Sequence, residues 1–85
     1  MKIYRSPIFK KRYVKIPQSV QDLALQKEIL FRKNSHDPTL KTHKLKGKLH
    51  GQWSFSINRA YRIVFYYISD DEVLFISIGT HEIYR

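Results

Sequence analysis

The apolar positions of this chain change their rhythm once, near residue 38. Before it, Phe9, Tyr13 and Ile16 recur at helical spacing, with Lys10, Lys11, Arg12 and Lys15 covering the other side. Ser6-Pro7 marks the start of that helix, because a serine hydroxyl caps a first turn and proline suits the first helical position. Pro17 stops it and helps to start a second helix over 18–33. There Val20, Leu23, Ala24, Leu30 and Phe31 form one stripe, while Leu25 and Ile29 sit well round the cylinder. A helix with two apolar stripes must touch two things. The economical expectation is a helical hairpin whose second helix packs on both the first helix and a sheet. The alternative makes Leu25 and Ile29 a partner site.

Asn34-Ser35-His36-Asp37-Pro38 is turn chemistry and ends the helical half. From there the pattern has period two. Trp53, Phe55 and Ile57 point one way, and Ser54, Ser56 and Asn58 point the other. Tyr61 to Ile68 is a strand rich in β-branched and aromatic residues, Ser69-Asp70-Asp71-Glu72 is a polar turn, and Val73 to Ile78 is the last strand. Lys2-Ile3-Tyr4-Arg5 forms a short opening strand. The expected architecture is therefore α+β: an N-terminal strand, a two-helix hairpin, then a three-stranded, largely antiparallel sheet, all in one domain over 1–85. Trp53 is expected in its core.

Composition narrows the function classes. The chain has 85 residues, 42% of them hydrophobic, which is enough for one layer of helices on a sheet and argues against disorder. It has no cysteine, so disulfides and the common cysteine zinc sites are excluded. Met1 to Arg5 carries no apolar stretch after its positive charge and does not resemble a signal peptide; no apolar run approaches a membrane span. A cytoplasmic address is the expectation. Sixteen Lys plus Arg against seven Asp plus Glu give a formal net charge of +9. Self-repulsion of that size opposes compactness, so a polyanionic partner is the natural reason to keep it: nucleic acid first, an acidic protein second.

The chemistry-bearing residues fit that partner. Lys41 to Lys48 holds Lys41, Lys44, Lys46 and Lys48 with His43, and lysines on a strand edge beside aromatics form a phosphate track. Arg59 and Arg62 flank the turn into the central strand. An arginine fixed on a sheet clamps one phosphate with two hydrogen bonds, more rigidly than a loop lysine. Of the four histidines, His36 lies in the post-helix turn and is expected to be solvated, His43 opens the basic segment, and His81 follows the last strand. None has the spacing of a zinc site, so no metal is expected.

Four runs in order, His43-Lys44-Leu45-Lys46-Gly47, Gly51 to Ile57, Tyr61 to Phe65, and Ile78 to Tyr84, resemble the RelE/ParE toxin superfamily, and most closely its RelE-type branch with the YoeB and YafQ toxins. The resemblance covers nearly the whole chain. It implies the RelE-like fold and the toxin of a type II toxin–antitoxin pair, one that cuts messenger RNA on the ribosome without metal or cofactor. It places His43 at the position of the general base and His81 at that of the acid, the two being interchangeable. Arg62 matches the phosphate-clamping arginine, and Tyr84 a C-terminal aromatic that orients the substrate. It also implies an antitoxin partner, whose acidic segment covers the basic face; Leu25 and Ile29, read from the second stripe of the second helix, are the expected apolar anchors. Ser54 and Ser56 stand where lysine-based members carry basic residues, so that mechanism does not transfer. The alternatives are a ParE-like inhibitor of DNA gyrase, which shares the fold but has no stated need for the two histidines, and a non-catalytic RNA-binding module or inactivated toxin.

Overall fold

The change from helix to strand falls where the pattern puts it. The computed structural model describes residues 1–47, 51–80 and 83. In chain order it has β1 (Lys2–Arg5), α1 (Pro7–Tyr13), α2 (Gln18–Lys33), a 3-10 turn (Pro38–Leu40), β2 (His43–Lys44), β3 (Trp53–Ser56), β4 (Tyr61–Ser69) and β5 (Glu72–Thr80).

The strands form one five-stranded sheet in the order β1-β5-β4-β3-β2. β1 runs parallel to β5, pairing Lys2 with Glu72 and Arg5 with Phe75, and the other pairs are antiparallel. The sheet is thus larger than the three strands expected. β1 joins it at one edge, against a partner far along the chain, and His43–Lys44 adds a short strand at the other. Periodicity carries no information about a remote partner, and two residues are too few to show a period.

Ser6 caps α1 as its chemistry dictates, its hydroxyl accepting from the Phe9 amide at 3.0 Å. The same hydroxyl donates to the Ile76 carbonyl at 2.7 Å, and the Ser6 amide donates to Phe75 O at 3.0 Å, so the cap also ties α1 to β5. Ile76 is free to accept because β5 bulges there: Val64 pairs with Ser77 and Phe65 with Phe75, leaving Ile76 over. α1 stops at Tyr13, a turn earlier than the Phe9-Tyr13-Ile16 spacing suggests.

Both helices lie on one face of the sheet. Phe9, Val20, Ala24 and Phe31 meet Phe55, Ile63, Phe65, Val73, Phe75 and Ile78 there, all buried. Phe31 is the centre of that core, with its ring centroid 4.8 Å from Phe55, 5.0 Å from Phe65 and 5.6 Å from Phe75. Aromatic packing of this kind adds about 0.5–1.5 kcal/mol per pair beyond area burial. Trp53 is half-buried at the sheet's end, edge-on to His36 and Tyr67 at 5.5 Å from each. His36 is exposed as expected, yet it is also held, its Nε2 3.3 Å from the Tyr67 hydroxyl.

Two expectations are corrected. Ser54, assigned to the polar face of β3, is fully buried. It lies in a cross-strand row with His43, Val64 and Ser77, and the last two are buried with it. The second stripe of α2 is uncovered: Leu25 is 53% exposed and Ile29 58%. α1 packs on β5, through Phe9 against Phe75, and does not reach across that flank of α2. Leu25 lines instead an apolar groove of about 400 Å³ with Phe9, Tyr13, Val14, Ala24 and Ile63. No helix among the described residues is long and apolar enough to cross a membrane.

Candidate nucleic-acid interface

The segment leaving α2 is built by Asp37. Its carboxylate accepts from the Thr39 hydroxyl at 2.7 Å and the Thr39 amide at 2.9 Å, capping the 3-10 turn. These bonds, the hydroxyl foremost, hold the Asp37 carboxyl below the usual carboxylate range. The turn buries Leu40 completely and leaves Lys41 in the left-handed region at φ 53°. A residue with a Cβ pays about 1–2 kcal/mol there. Lys41 carries that cost with its side chain at the site.

Lys41 in turn positions His43. The His43 Nδ1 lies 2.9 Å from the Lys41 carbonyl. A carbonyl oxygen only accepts, so Nδ1 carries the proton and Nε2 is left as the proton acceptor of the neutral ring. His43 pairs with Ser54, and Ser56 pairs with Arg62, so all four share the sheet face away from the helices. Strand spacing sets the Cα atoms of His43 and Arg62 roughly 12 Å apart.

Arg62 is held at the start of β4. Its guanidinium donates to the Ser56 hydroxyl at 2.7 Å, to Asn58 O at 3.2 Å and to Arg59 O at 3.4 Å. The turn that supplies those carbonyls is itself fixed by Asn58, whose side-chain oxygen accepts from the Ala60 and Tyr61 amides at 2.9 and 2.8 Å.

These elements surround a polar cavity of about 240 Å³, walled by Lys41, Arg59, Arg62 and Lys27 with Thr39 and Asn58. The fold brings Lys41, Arg59 and Arg62 together and adds Lys27 from α2, which the sequence reading missed. The signal was present: Val20, Ala24, Lys27 and Phe31 are one helical stripe, and a lysine inside an apolar stripe asks for a reason. Ion pairs among the described residues join only Met1 to Asp71 and Arg5 and Arg32 to Glu28, so Lys27, Lys41 and Arg59 have no counter-ion there. Asp70, Asp71 and Glu72 stand at the β4–β5 turn, the other end of the nine-residue β4, roughly 30 Å away.

Lys44 and Lys46 stand apart from this cavity. Lys44 pairs with Trp53, so it points to the helix side of the sheet, with its Nζ 5.4 Å over the indole ring. Lys46 is exposed on the loop beyond β2. Lys48, His81 and Tyr84 lie outside the described residues. No group of three His, Asp or Glu among the described residues is arranged to hold a metal. What the cavity offers is a guanidinium fixed by protein acceptors with three further cations around it, a concentration of positive charge that attracts a phosphate and stabilises added negative charge on it.

No protein-family model matches the chain, and no curated protein matches it by sequence. Solved structures do match its fold. A YoeB/ParE toxin from Agrobacterium tumefaciens superposes with a TM-score of 0.79 at 18% identity, over 95% of this chain and 99% of that one. A copper-bound mutant toxin from Helicobacter pylori gives 0.72 at 28% identity, over 96% of each. The YoeB–YefM complex from Staphylococcus aureus gives 0.76 at 22% identity, over 95% and 97%. The chain therefore has the RelE-like fold of the toxin superfamily to which YoeB and YafQ belong.

Proposed function

We propose that this chain is the toxin of a type II toxin–antitoxin pair and a metal-independent endoribonuclease acting in the cytoplasm on messenger RNA at the ribosomal A site. The observation that carries the reading is the basic cavity, in which Arg62 and Arg59 at the start of β4 meet Lys41 and Lys27 around a phosphate-sized space. The similarity to YoeB and YafQ toxins supports the toxin role.

The chemistry assigns each group a task. His43 takes the ribose 2′-hydroxyl proton on Nε2, the atom its bond to Lys41 leaves open. The 2′ oxygen attacks the adjacent phosphorus, and the bond from phosphorus to the 5′ oxygen breaks. His81 returns a proton to that leaving oxygen, giving a 2′,3′-cyclic phosphate and a free 5′-hydroxyl. Arg62, with Lys41 and Arg59, balances the charge that grows on the phosphoryl oxygens. Tyr84 orients the substrate, and Lys44, Lys46 and Lys48 extend the contact to neighbouring phosphates. Each proton-transfer group contributes about 10²–10⁴ in rate.

The partner is an antitoxin with an acidic segment, as YefM partners YoeB in the complex of similar fold. Its apolar anchors fall on the exposed Leu25 and Ile29, beside the groove between the helices.

The test is incubation of the purified chain with programmed ribosomes and message, mapping the new RNA ends, with His43→Ala and His81→Ala in parallel. Cleavage in the A site that either variant lowers by 10²-fold or more supports the reading. Intact message at protein excess removes the nuclease, and gyrase inhibition becomes the next assay.

A further inference from the structure

A second cleft opens on the other side of the start of β4. It encloses about 440 Å³ between the C-terminal turn of α1 and the ends of β4 and β5. Its floor is apolar: Ile78 is buried, and Ile16, Tyr61 and Ile83 are half-buried. Its rim is cationic, formed by the exposed Arg12 and Lys15, neither of which has an ion-pair partner among the described residues.

Gly79 explains how α1 reaches this place. It is the cross-strand partner of Arg62, so a Cβ on it would point to Arg62's face of the sheet. That Cβ would overlap the Ile83 side chain and lie 3.9 Å from Arg12 Nη1. The absent side chain is what lets Ile83 settle on the strand with the Arg12 guanidinium beside it. Arg12 and Arg62 therefore flank one cross-strand pair, Arg62 leaning towards β3 and Arg12 arriving from the β5 side. Arg12 Nη1 thus stands beside the Cβ position of the residue directly across from Arg62, which sets the rim of the cleft against the strand pair that carries the clamp.

An apolar floor with two cations at its rim is the composition of a site for a nucleobase with its phosphate. The floor takes a ring face without reading its edges, and the rim takes the phosphate. We infer that this cleft is a second nucleotide subsite, binding the nucleotide next to the one clamped at Arg62; the inference rests on the reading of the chain as an RNA-cleaving toxin. The solvated alternative, in which Arg12 and Lys15 only add to the net charge, predicts no difference between them and the neighbouring Lys10 and Lys11 of α1.

That contrast defines the experiment. The full chain is titrated with adenosine monophosphate and followed by amide NMR. Saturable shifts are expected at Ile16, Tyr61, Thr80 and Ile83, absent in the Arg12→Gln/Lys15→Gln variant and kept in Lys10→Gln/Lys11→Gln, which loses equal charge. In the cleavage assay the first variant raises the RNA concentration for half-maximal rate about 10-fold while the saturated rate stays within about two-fold, as loss of uniform binding requires. Cleavage by the wild type without those shifts, or equal effects of the two double variants, overturns the subsite and leaves the nuclease standing. Saturable shifts with no cleavage leave the subsite and overturn the nuclease.

Discussion

Arg62 Nη1 donates to the Ser56 hydroxyl at 2.7 Å across the β3–β4 pair, and that bond aims the arginine into the basic cavity. Ser56→Ala removes it and leaves the bonds to the Asn58 and Arg59 carbonyls in place. RNA cleavage should slow by about 3–10-fold, less than the roughly 10–150-fold worth of a hydrogen bond to a charged group, because the two carbonyl bonds still hold the arginine. Arg62→Lys keeps the charge and loses the fork, and should slow it by about 10²-fold. Single-turnover rates separate the two; equal rates for Ser56→Ala and wild type would mean that Ser56 does not aim the arginine.

Ser6 joins two levels of structure in one hydroxyl, capping α1 and binding the bulged Ile76 carbonyl. Ser6→Ala should cost about 1–2 kcal/mol, on the order of 10 °C in thermal midpoint for a domain of this size. Ser6→Asp restores an acceptor for the Phe9 amide without a donor for Ile76, and its midpoint should fall between the two. Thermal melts followed by circular dichroism decide it.

Asp37 gives the fold an acid-side signature. Its carboxyl is held below the ordinary range by the Thr39 hydroxyl and amide. A depressed folded pKa contributes stability above the unfolded value, near 3.9, and loses it as the pH falls through the lower folded value. The wild type should therefore melt higher than Asp37→Asn at pH 7, with the gap closing below about pH 4. A gap that stays constant down to pH 2 would show that the carboxylate charge plays no part.

Leu25 and Ile29 are exposed apolar residues with a use only if something covers them. Leu25→Ala/Ile29→Ala should weaken antitoxin binding by about 10–100-fold. Cleavage by the free chain should stay within about two-fold. An unchanged antitoxin affinity by calorimetry would move the anchor elsewhere on the surface.

The legible parts of this fold are those written in local pattern. The helical stripe ending at Phe31, the Ser6-Pro7 cap and the β4–β5 hairpin each declare themselves within a few residues of sequence. Lys41, Arg59 and Arg62 were visible as cations, and their convergence was not, because it depends on the left-handed Lys41 and on the Asn58 turn. Lys27 was hidden by habit, since a polar residue on a helix is ordinarily read as solvent-facing. The burial of Ser54 was hidden by a rule, that a half-polar strand keeps its polar side wet. The partner of β1 was beyond any local reading.

That partner has a consequence in time. β1 can find its place only on β5, so the residues made first must wait for Glu72 to Phe75 before the sheet has its parallel edge. A pairing this far apart in the chain is slow to form, because the whole intervening segment must be brought into a loop first. Ser6 binds the same strand, so the cap of α1 is completed no earlier. A chain still being synthesised therefore has every wall of its basic cavity, which come from residues 27 to 62, before the first strand has a place in the sheet.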